Sequence, residues 1–200
     1  MRKQIQLPIL SILMVLILLL SSCMIDFLPW QENGSDSDDP VQIGPAPQPT
    51  PIPRPVTTMR VRAVGDILAH MPVVNSGLQA DGTYDLTHVF EDIRPYLEGA
   101  DIVTANLETT ISNPEHGYGG YPKFRTPEAL LTALQYAGFN VLTTANNHTF
   151  DGEEFGVQYT LDKLDEYGFL STGSARTQQE RDQVLIVEHN DIKAGILAYT

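Results

Sequence analysis

Short apolar runs alternate with segments of helical periodicity from Thr58 onward, and this alternation constrains the fold more than any other feature. The first run, Arg60 to Leu68, is rich in Val and Ala and predicts a buried strand. The later segments predict a helix, strand, helix, strand, helix and hairpin, over 86–97, 101–106, 127–137, 140–145, 152–167, and 184–188 with 192–199. Because strands and helices take turns, we expect an α/β domain with a mostly parallel sheet.

Several element ends carry their own signals. Thr126 and Pro127 are a favourable N-cap and first residue for the helix 127–137, and Gly138 is a favourable end. Asn190-Asp191 is the expected turn of the hairpin. The second hairpin segment should be buried between layers. Since Thr200 falls inside this predicted strand, we interpret the domain as truncated at its C-terminus.

Residues 1–23 have the pattern of an export signal. Arg2 and Lys3 precede a mostly apolar stretch from Leu7 to Leu20, which is short for a membrane span. Leu20-Ser21-Ser22-Cys23 resembles the bacterial lipobox, which implies cleavage before Cys23 and lipidation of its thiol. An uncleaved N-terminal anchor is the alternative. Both interpretations predict an extracytoplasmic domain held at the cell membrane.

Residues 24–57 are predicted to form a linker between this anchor and the domain at 58–200. Eight of the 14 prolines lie between Pro29 and Pro55, and alternating prolines favour an extended polyproline II chain. The preceding stretch, 34–39, is polar, acidic and flexible in composition. The linker is therefore expected to act as a tether, and a proline-rich ligand for a partner domain is the alternative.

The charge argues against nucleic-acid binding, and the cysteine content excludes an intrachain disulfide. A formal charge of −13 opposes binding to phosphate backbones, so nucleic acid is not an expected partner. A single cysteine cannot form an intrachain disulfide.

Polar residues follow three of the predicted strands. Asp66 ends the first strand, Asn106-Leu107-Glu108 ends the second, and Asn146-Asn147-His148 follows the third. Ligands of open α/β sheets gather at the carboxyl ends of the strands, so these residues should share one rim. Taken singly, each has a structural alternative, such as a turn or a helix cap. Taken together, their oxygen and nitrogen donors suit divalent Mn, Fe, Zn or Mg, in one or two sites.

Three motifs together resemble the CapA family of capsule (poly-γ-glutamate) biosynthesis proteins. They are Ala63-Val64-Gly65-Asp66-Ile67, Asn106-Leu107-Glu108-Thr109, and the segment 145–152, Ala-Asn-Asn-His-Thr-Phe-Asp-Gly. The resemblance extends from about Arg60 to Thr200. It implies a layered α/β sandwich similar to calcineurin-like metallophosphatases.

The resemblance also implies roles for individual residues. Asp66 would bind a first metal, Glu108 would bridge two metals, and Asn147 would bind the second. His148 would stand beside the scissile phosphate as an acid or charge stabiliser.

A Gly-rich loop carrying Tyr121, Lys123 and Phe124 resembles the substrate-facing segment of that family. Lys123 would meet an anionic group there, and Asn106 and Asn146 are further candidate substrate contacts.

The chain departs from the metallophosphatase pattern in two places. Leu68 stands where a histidine is usual, and His70 comes two residues later. The later Gly-His-x-His motif is absent from the 200 residues, and His189 is a poor substitute.

Three functions remain open on this reasoning. The first is a metal-dependent phosphoesterase-like protein of surface-polymer synthesis. The second is a non-catalytic accessory protein that binds the anionic polymer or its synthase complex. The third is a plain extracytoplasmic binding module whose polar rim is structural.

Overall fold

The computed structural model describes residues 55–200. The predicted signal segment, Cys23 and the linker up to residue 54 lie outside the described residues. In chain order the elements are β1 (Val61–Ile67), α1 (Met71–Ser76), a 3₁₀ turn (Thr87–Val89), α2 (Arg94–Leu97), β2 (Ile102–Leu107), β3 (Thr110–Ser112), β4 (Arg125–Pro127), α3 (Ala129–Ala137), β5 (Val141–Thr143), α4 (Glu153–Glu166), β6 (Leu170–Thr172), α5 (Gln178–Arg181), β7 (Leu185–His189) and β8 (Ile192–Ile196).

A four-stranded parallel sheet is the centre of the fold. Its strand order is β1-β2-β5-β6, so each new strand adds to the same side. Strands β3 and β4 form a separate parallel pair, and β7 and β8 form an antiparallel hairpin. The predicted α/β architecture with a parallel sheet is therefore confirmed.

The hydrophobic core lies on the sheet face that carries alternate residues of β2. Val103, Ala105 and Leu107 point to this face and are buried. They pack in one cluster with apolar side chains of α3 and α4. Helix α3 ends at Gly138, whose left-handed φ of 96° closes the helix as the sequence predicted. This packing fixes the sheet under the loops that follow its strands.

The predicted helix over 86–97 is wrong. The segment instead forms the 3₁₀ turn Thr87–Val89 and the short helix α2. Pro95 explains the break, because its ring would clash with the carbonyl of Glu91 in a continuous helix. The Asp85 carboxylate also accepts hydrogen bonds from the amide and hydroxyl of Thr87, which starts a new turn there.

The start of the next helix also differs from the prediction. Pro127 belongs to β4, and α3 begins only at Ala129. Thr126 is buried and its hydroxyl lies 2.8 Å from that of Thr109, so it does not cap the helix.

Strand β1 is mostly exposed, although its sequence predicted burial. Val61 and Val64 are 55% and 37% exposed. Within residues 55–200, β1 pairs only with β2, which makes it an edge strand of this sheet. Apolar composition predicted a strand correctly but did not predict its place in the sheet.

The C-terminal hairpin turns at Asn190 and Asp191, as expected, and both residues have positive φ. The prediction that its second strand is buried is wrong, because β8 alternates between half-buried and exposed positions. His189 Nε2 lies 3.0 Å from Asp101 Oδ1, which joins the hairpin to the start of β2.

None of the helices in the described part of the chain combines the length and apolar character needed to span a bilayer.

Gly173, directly after β6, provides a test of the packing beneath the site. It has a φ of 122°, and an added Cβ would lie 2.5 Å from the Ala145 amide nitrogen. Gly82 has a φ of 85°, but an added Cβ there meets nothing within 4 Å. We expect Gly82→Ala to cost about 1–2 kcal/mol of unfolding free energy from backbone strain alone. Gly173→Ala should cost clearly more, because it adds a clash. Urea unfolding measures both, and equal losses would contradict the proposed close approach.

Candidate functional site

A chain of hydrogen bonds joins the carboxyl ends of three neighbouring segments. In the sheet register, Asp66 of β1 is paired with Asn106 of β2. Asn106 Nδ2 donates to Asp66 Oδ1 at 2.8 Å, and Asn146 Nδ2 donates to Asn106 Oδ1 at 3.0 Å. Asn146 Nδ2 also reaches the carbonyl of Leu107 at 2.9 Å. The predicted rim residues Asp66, Asn106 and Asn146 therefore meet at one edge of the sheet.

The turn after β5 is held by its own polar side chains. The Thr149 hydroxyl lies within hydrogen-bond distance of the carbonyl oxygens of Thr144 and Asn146, which share its one proton, and it accepts from the backbone amide of Asn146. Asn146 Oδ1 accepts from the His148 amide at 2.9 Å. Such local side-chain bonds favour a turn over continuation of the strand. They place His148 beside the strand ends.

Two carboxylates approach each other at this edge. Partial burial raises the pKa of Glu108, and the neighbouring Asp66 carboxylate raises it further. His148 acts in the opposite direction on the pKa of Glu108, so it too lies nearby. Like charges in one site oppose each other's ionisation. The pKa of Glu108 thus responds to both Asp66 and His148, which stand at or after the ends of the strands on either side of β2.

The imidazole of His148 is held from two sides. Its Nδ1 lies 2.7 Å from Asp151 Oδ2, and the two side chains are 15% and 12% exposed. Asp151 Oδ2 also accepts the backbone amide of Phe124 at 2.6 Å. The Phe124 ring is buried and meets the His148 ring edge-on, with centroids 4.7 Å apart. The ring of His70 packs against the same phenyl ring at 4.9 Å.

A glycine allows the start of α4 to lie this close to β3. At Gly152, an added Cβ would lie 3.0 Å from Thr110 Oγ1 and 2.6 Å from the Gly156 Cα. This contact brings Asp151, which immediately precedes Gly152, against the strand ends.

Lys123 lies in the loop between β3 and β4, next to Phe124, and its side chain is exposed. Its Nζ is 3.7 Å from Glu153 Oε1, and its side chain is 62% exposed. A cavity of about 520 Å³ between β3, β4 and the start of α4 is lined by Lys123, Arg125 and Asp151, among others. Tyr121 is 78% exposed on this loop. The segment therefore presents a cation next to the His148–Asp151 pair.

Asn147, the other predicted metal ligand, takes no part in the hydrogen bonds of the strand ends within the described part of the chain. Asn147 is exposed, and its side chain makes no hydrogen bond within residues 55–200. In the same range, no three side chains of His, Cys, Asp or Glu are grouped so as to hold a metal ion. The donors that do meet are the two carboxylates, and the Asn106 side chain turns its nitrogen, not its oxygen, toward Asp66. Carboxylates are hard oxygen donors that suit a divalent cation, and the pair fits part of a metal site.

Asp151 and the amide of Phe124 are functional candidates that the sequence reasoning did not single out. The signal for Asp151 was its spacing of three residues from His148 in one turn. The Phe124 amide had no sequence signal, because backbone contacts between distant segments depend on tertiary packing.

The sequence of this domain matches a known protein family. Residues 60–200 match the family described as bacterial capsule synthesis protein PGA_cap. The match includes every site residue described above.

Three individual relatives share about a quarter of their aligned residues with this chain. Uncharacterized protein y4sH and uncharacterized protein y4uA of Sinorhizobium fredii are each 28% identical over 133 residues, which is 63% of this chain and 27% of theirs. Capsule biosynthesis protein CapA of Bacillus anthracis is 26% identical over 121 residues, which is 58% of this chain and 29% of that protein. The alignments thus span less than a third of each relative.

The Asn106 bridge can be tested by one change of charge. Asn106→Asp replaces the amide group that donates to Asp66 by a third carboxylate. We expect a loss of about 0.5–1.5 kcal/mol in unfolding free energy at pH 7, because a solvent-exposed hydrogen bond between neighbouring strands becomes a repulsion. Asn75→Asp, at an exposed position of α1, is the matched control and should change little. Equal unfolding free energies for the two variants in urea would show that Asn106 bears no such bridge.

Proposed function

Because the chain belongs, over residues 60–200, to the bacterial capsule synthesis protein family, we propose that it is a membrane-anchored, extracytoplasmic protein of capsule polymer synthesis. We propose further that the strand-end cluster is a metal-dependent site that hydrolyses phosphoesters. The polymer itself would be an anion, as poly-γ-glutamate is.

The close approach of Asp66 and Glu108 carries this proposal. Burial raises the pKa of Glu108, and the neighbouring Asp66 carboxylate raises it further, because like charges oppose each other's ionisation. A divalent cation between them removes that repulsion, and an oxygen-rich donor set suits Mg²⁺ or Mn²⁺, with Fe and Zn as alternatives. The repulsion between the Asp66 and Glu108 carboxylates, which a bound cation would relieve, supports a metal-binding role.

Asp66, Glu108 and Asn147 would hold the metal, with Glu108 shared if there are two ions. When bound, such an ion polarises a phosphoryl oxygen and activates water. When protonated on both ring nitrogens, His148 would give its Nε2 proton to the leaving oxygen and keep its Nδ1 proton, which faces Asp151. Lys123 would attract the anionic substrate. Asn106 and Asn146, whose amides bind one another, would orient the site beside the substrate.

A non-catalytic accessory role is the second candidate. It is favoured by the finding that, within residues 55–200, no group of three His, Cys, Asp or Glu side chains is arranged to hold a metal ion. On this alternative, the domain would bind the anionic polymer or the synthase complex through the exposed cation of Lys123.

The proposed anchor gives a direct prediction. The mature protein should begin at Cys23 and carry lipid, and Cys23→Ser should abolish the modification. Mass spectrometry of membrane-extracted protein measures the N-terminal mass. An intact Met1 terminus, or an unmodified Cys23 in the wild type, would refute the lipoprotein proposal.

The proposed metal site predicts three different variant phenotypes. Glu108→Gln should cost the most bound metal, because it removes a charge with little change in volume. Asn147→Ala should cost less, because it removes one neutral ligand. His148→Ala should keep near-normal metal while turnover falls about 10²–10⁴-fold, the usual contribution of a positioned acid.

The experiment pairs metal analysis with hydrolysis of a generic phosphomonoester and phosphodiester by the full-length protein. Glu98→Gln, an exposed acid that pairs with Arg94, is the matched control and should change neither measurement. A wild-type protein that binds no divalent metal after reconstitution would overturn the phosphoesterase proposal and leave the accessory role. Complete metal loss in His148→Ala would instead make His148 a ligand.

A further inference from the structure

One oxygen atom of Asp151 receives two hydrogen-bond donors from different parts of the chain. His148 Nδ1 lies 2.7 Å from Oδ2, and the Phe124 backbone nitrogen lies 2.6 Å from the same atom. The first donor belongs to the turn after β5. The second belongs to the loop that carries Lys123, 27 residues earlier in the chain.

A carboxylate accepts hydrogen bonds and does not donate them, so this geometry fixes the proton of neutral His148 on Nδ1. None of the hydrogen bonds within residues 55–200 involves Nε2 of His148, so this atom is the one available to a ligand.

The Phe124 amide restrains the shared oxygen further. The Phe124 carbonyl accepts both the amide and the hydroxyl of Thr110, at 3.3 and 2.9 Å, which holds this segment against β3. The amide of Phe124 is thereby held in place against Oδ2. Its ring also packs edge-on against the imidazole of His148.

We propose that Asp151 is a positioning residue that couples the Lys123 loop to His148, setting the imidazole in the Nδ1–H tautomer through a single shared oxygen. This inference rests on the proposed function for its consequence in turnover, but the tautomer itself does not depend on metal or activity. It adds to the site a residue that acts through His148 rather than on substrate.

The shared oxygen makes an unusual prediction about Asp151→Asn. An asparagine has one acceptor oxygen, and the Phe124 amide requires an acceptor at the Oδ2 position. The amide oxygen should therefore take that place, and His148 should keep its Nδ1–H tautomer although the charge is lost. Asp151→Leu offers no acceptor, so neutral His148 should change to the Nε2–H tautomer and the Phe124 amide should exchange faster with solvent.

The measurement is NMR of the metal-free, full-length protein in detergent. Long-range proton–nitrogen spectra report the tautomer of each imidazole, and the chain has only five histidines, so His148→Gln assigns the signal. Labelling of the seven phenylalanines follows the Phe124 amide. Asp101→Leu is the matched control, because Asp101 also binds a backbone amide and a histidine, those of Arg60 and His189. It should leave His148 unchanged.

The outcomes separate cleanly. An Nδ1–H tautomer in the wild type and Asp151→Asn, lost in Asp151→Leu, supports the proposal. An Nε2–H tautomer in the wild type overturns it even if no variant folds. So does a tautomer that survives Asp151→Leu, or one that Asp101→Leu changes equally. If the protein proves to be active, kcat should fall about 10²-fold or more in Asp151→Leu and less in Asp151→Asn. An inactive protein would refute the phosphoesterase proposal while leaving the tautomer result intact.

Discussion

The hydrogen bond from Asn106 to Asp66 is the contact on which the arrangement of the site depends. It requires β1 and β2 to be parallel and in the observed register, with these two residues paired. Asn146 then attaches the turn after β5 to the same amide. A register shift of one residue would turn Asp66 to the other face of the sheet. The site is therefore a property of sheet register before it is a property of any single residue.

The carboxylates at the strand ends form two groups that differ in their hydrogen-bond partners. On one side, Asp66 and Glu108 repel each other, and no cation from residues 55–200 pairs with them in a salt bridge. On the other side, Asp151 is satisfied by the donors of His148 and Phe124. A site with one uncompensated carboxylate pair and one compensated carboxylate can assign them to different tasks. The first is suited to a cation, and the second to holding an imidazole.

The sequence predicted the major elements of the sheet but not its smallest or outermost parts. The predicted strands at β1, β2 and β5 and the helices at α3 and α4 are present, because their apolar patterns were strong, although the start of α3 was misplaced. The strands β3, β4 and β6 were not predicted, and each has only three residues. Strand β5 is equally short, but its Val141 and Leu142 lie in a longer predicted strand over 140–145. The predicted helix over 86–97 failed for a reason that the sequence contained, because an internal proline, Pro95, breaks a helix.

The sequence by itself determined which polar residues stand after each strand, because motif order is a one-dimensional property. Asp66, Glu108 and His148 were identifiable on that basis. The tertiary structure alone decided which of them touch, and it added Asp151 through its contact with the Phe124 amide. That contact joins segments 27 residues apart, and a backbone amide has no residue signature. Its acceptor is selected by packing, and packing appears only when the chain has folded.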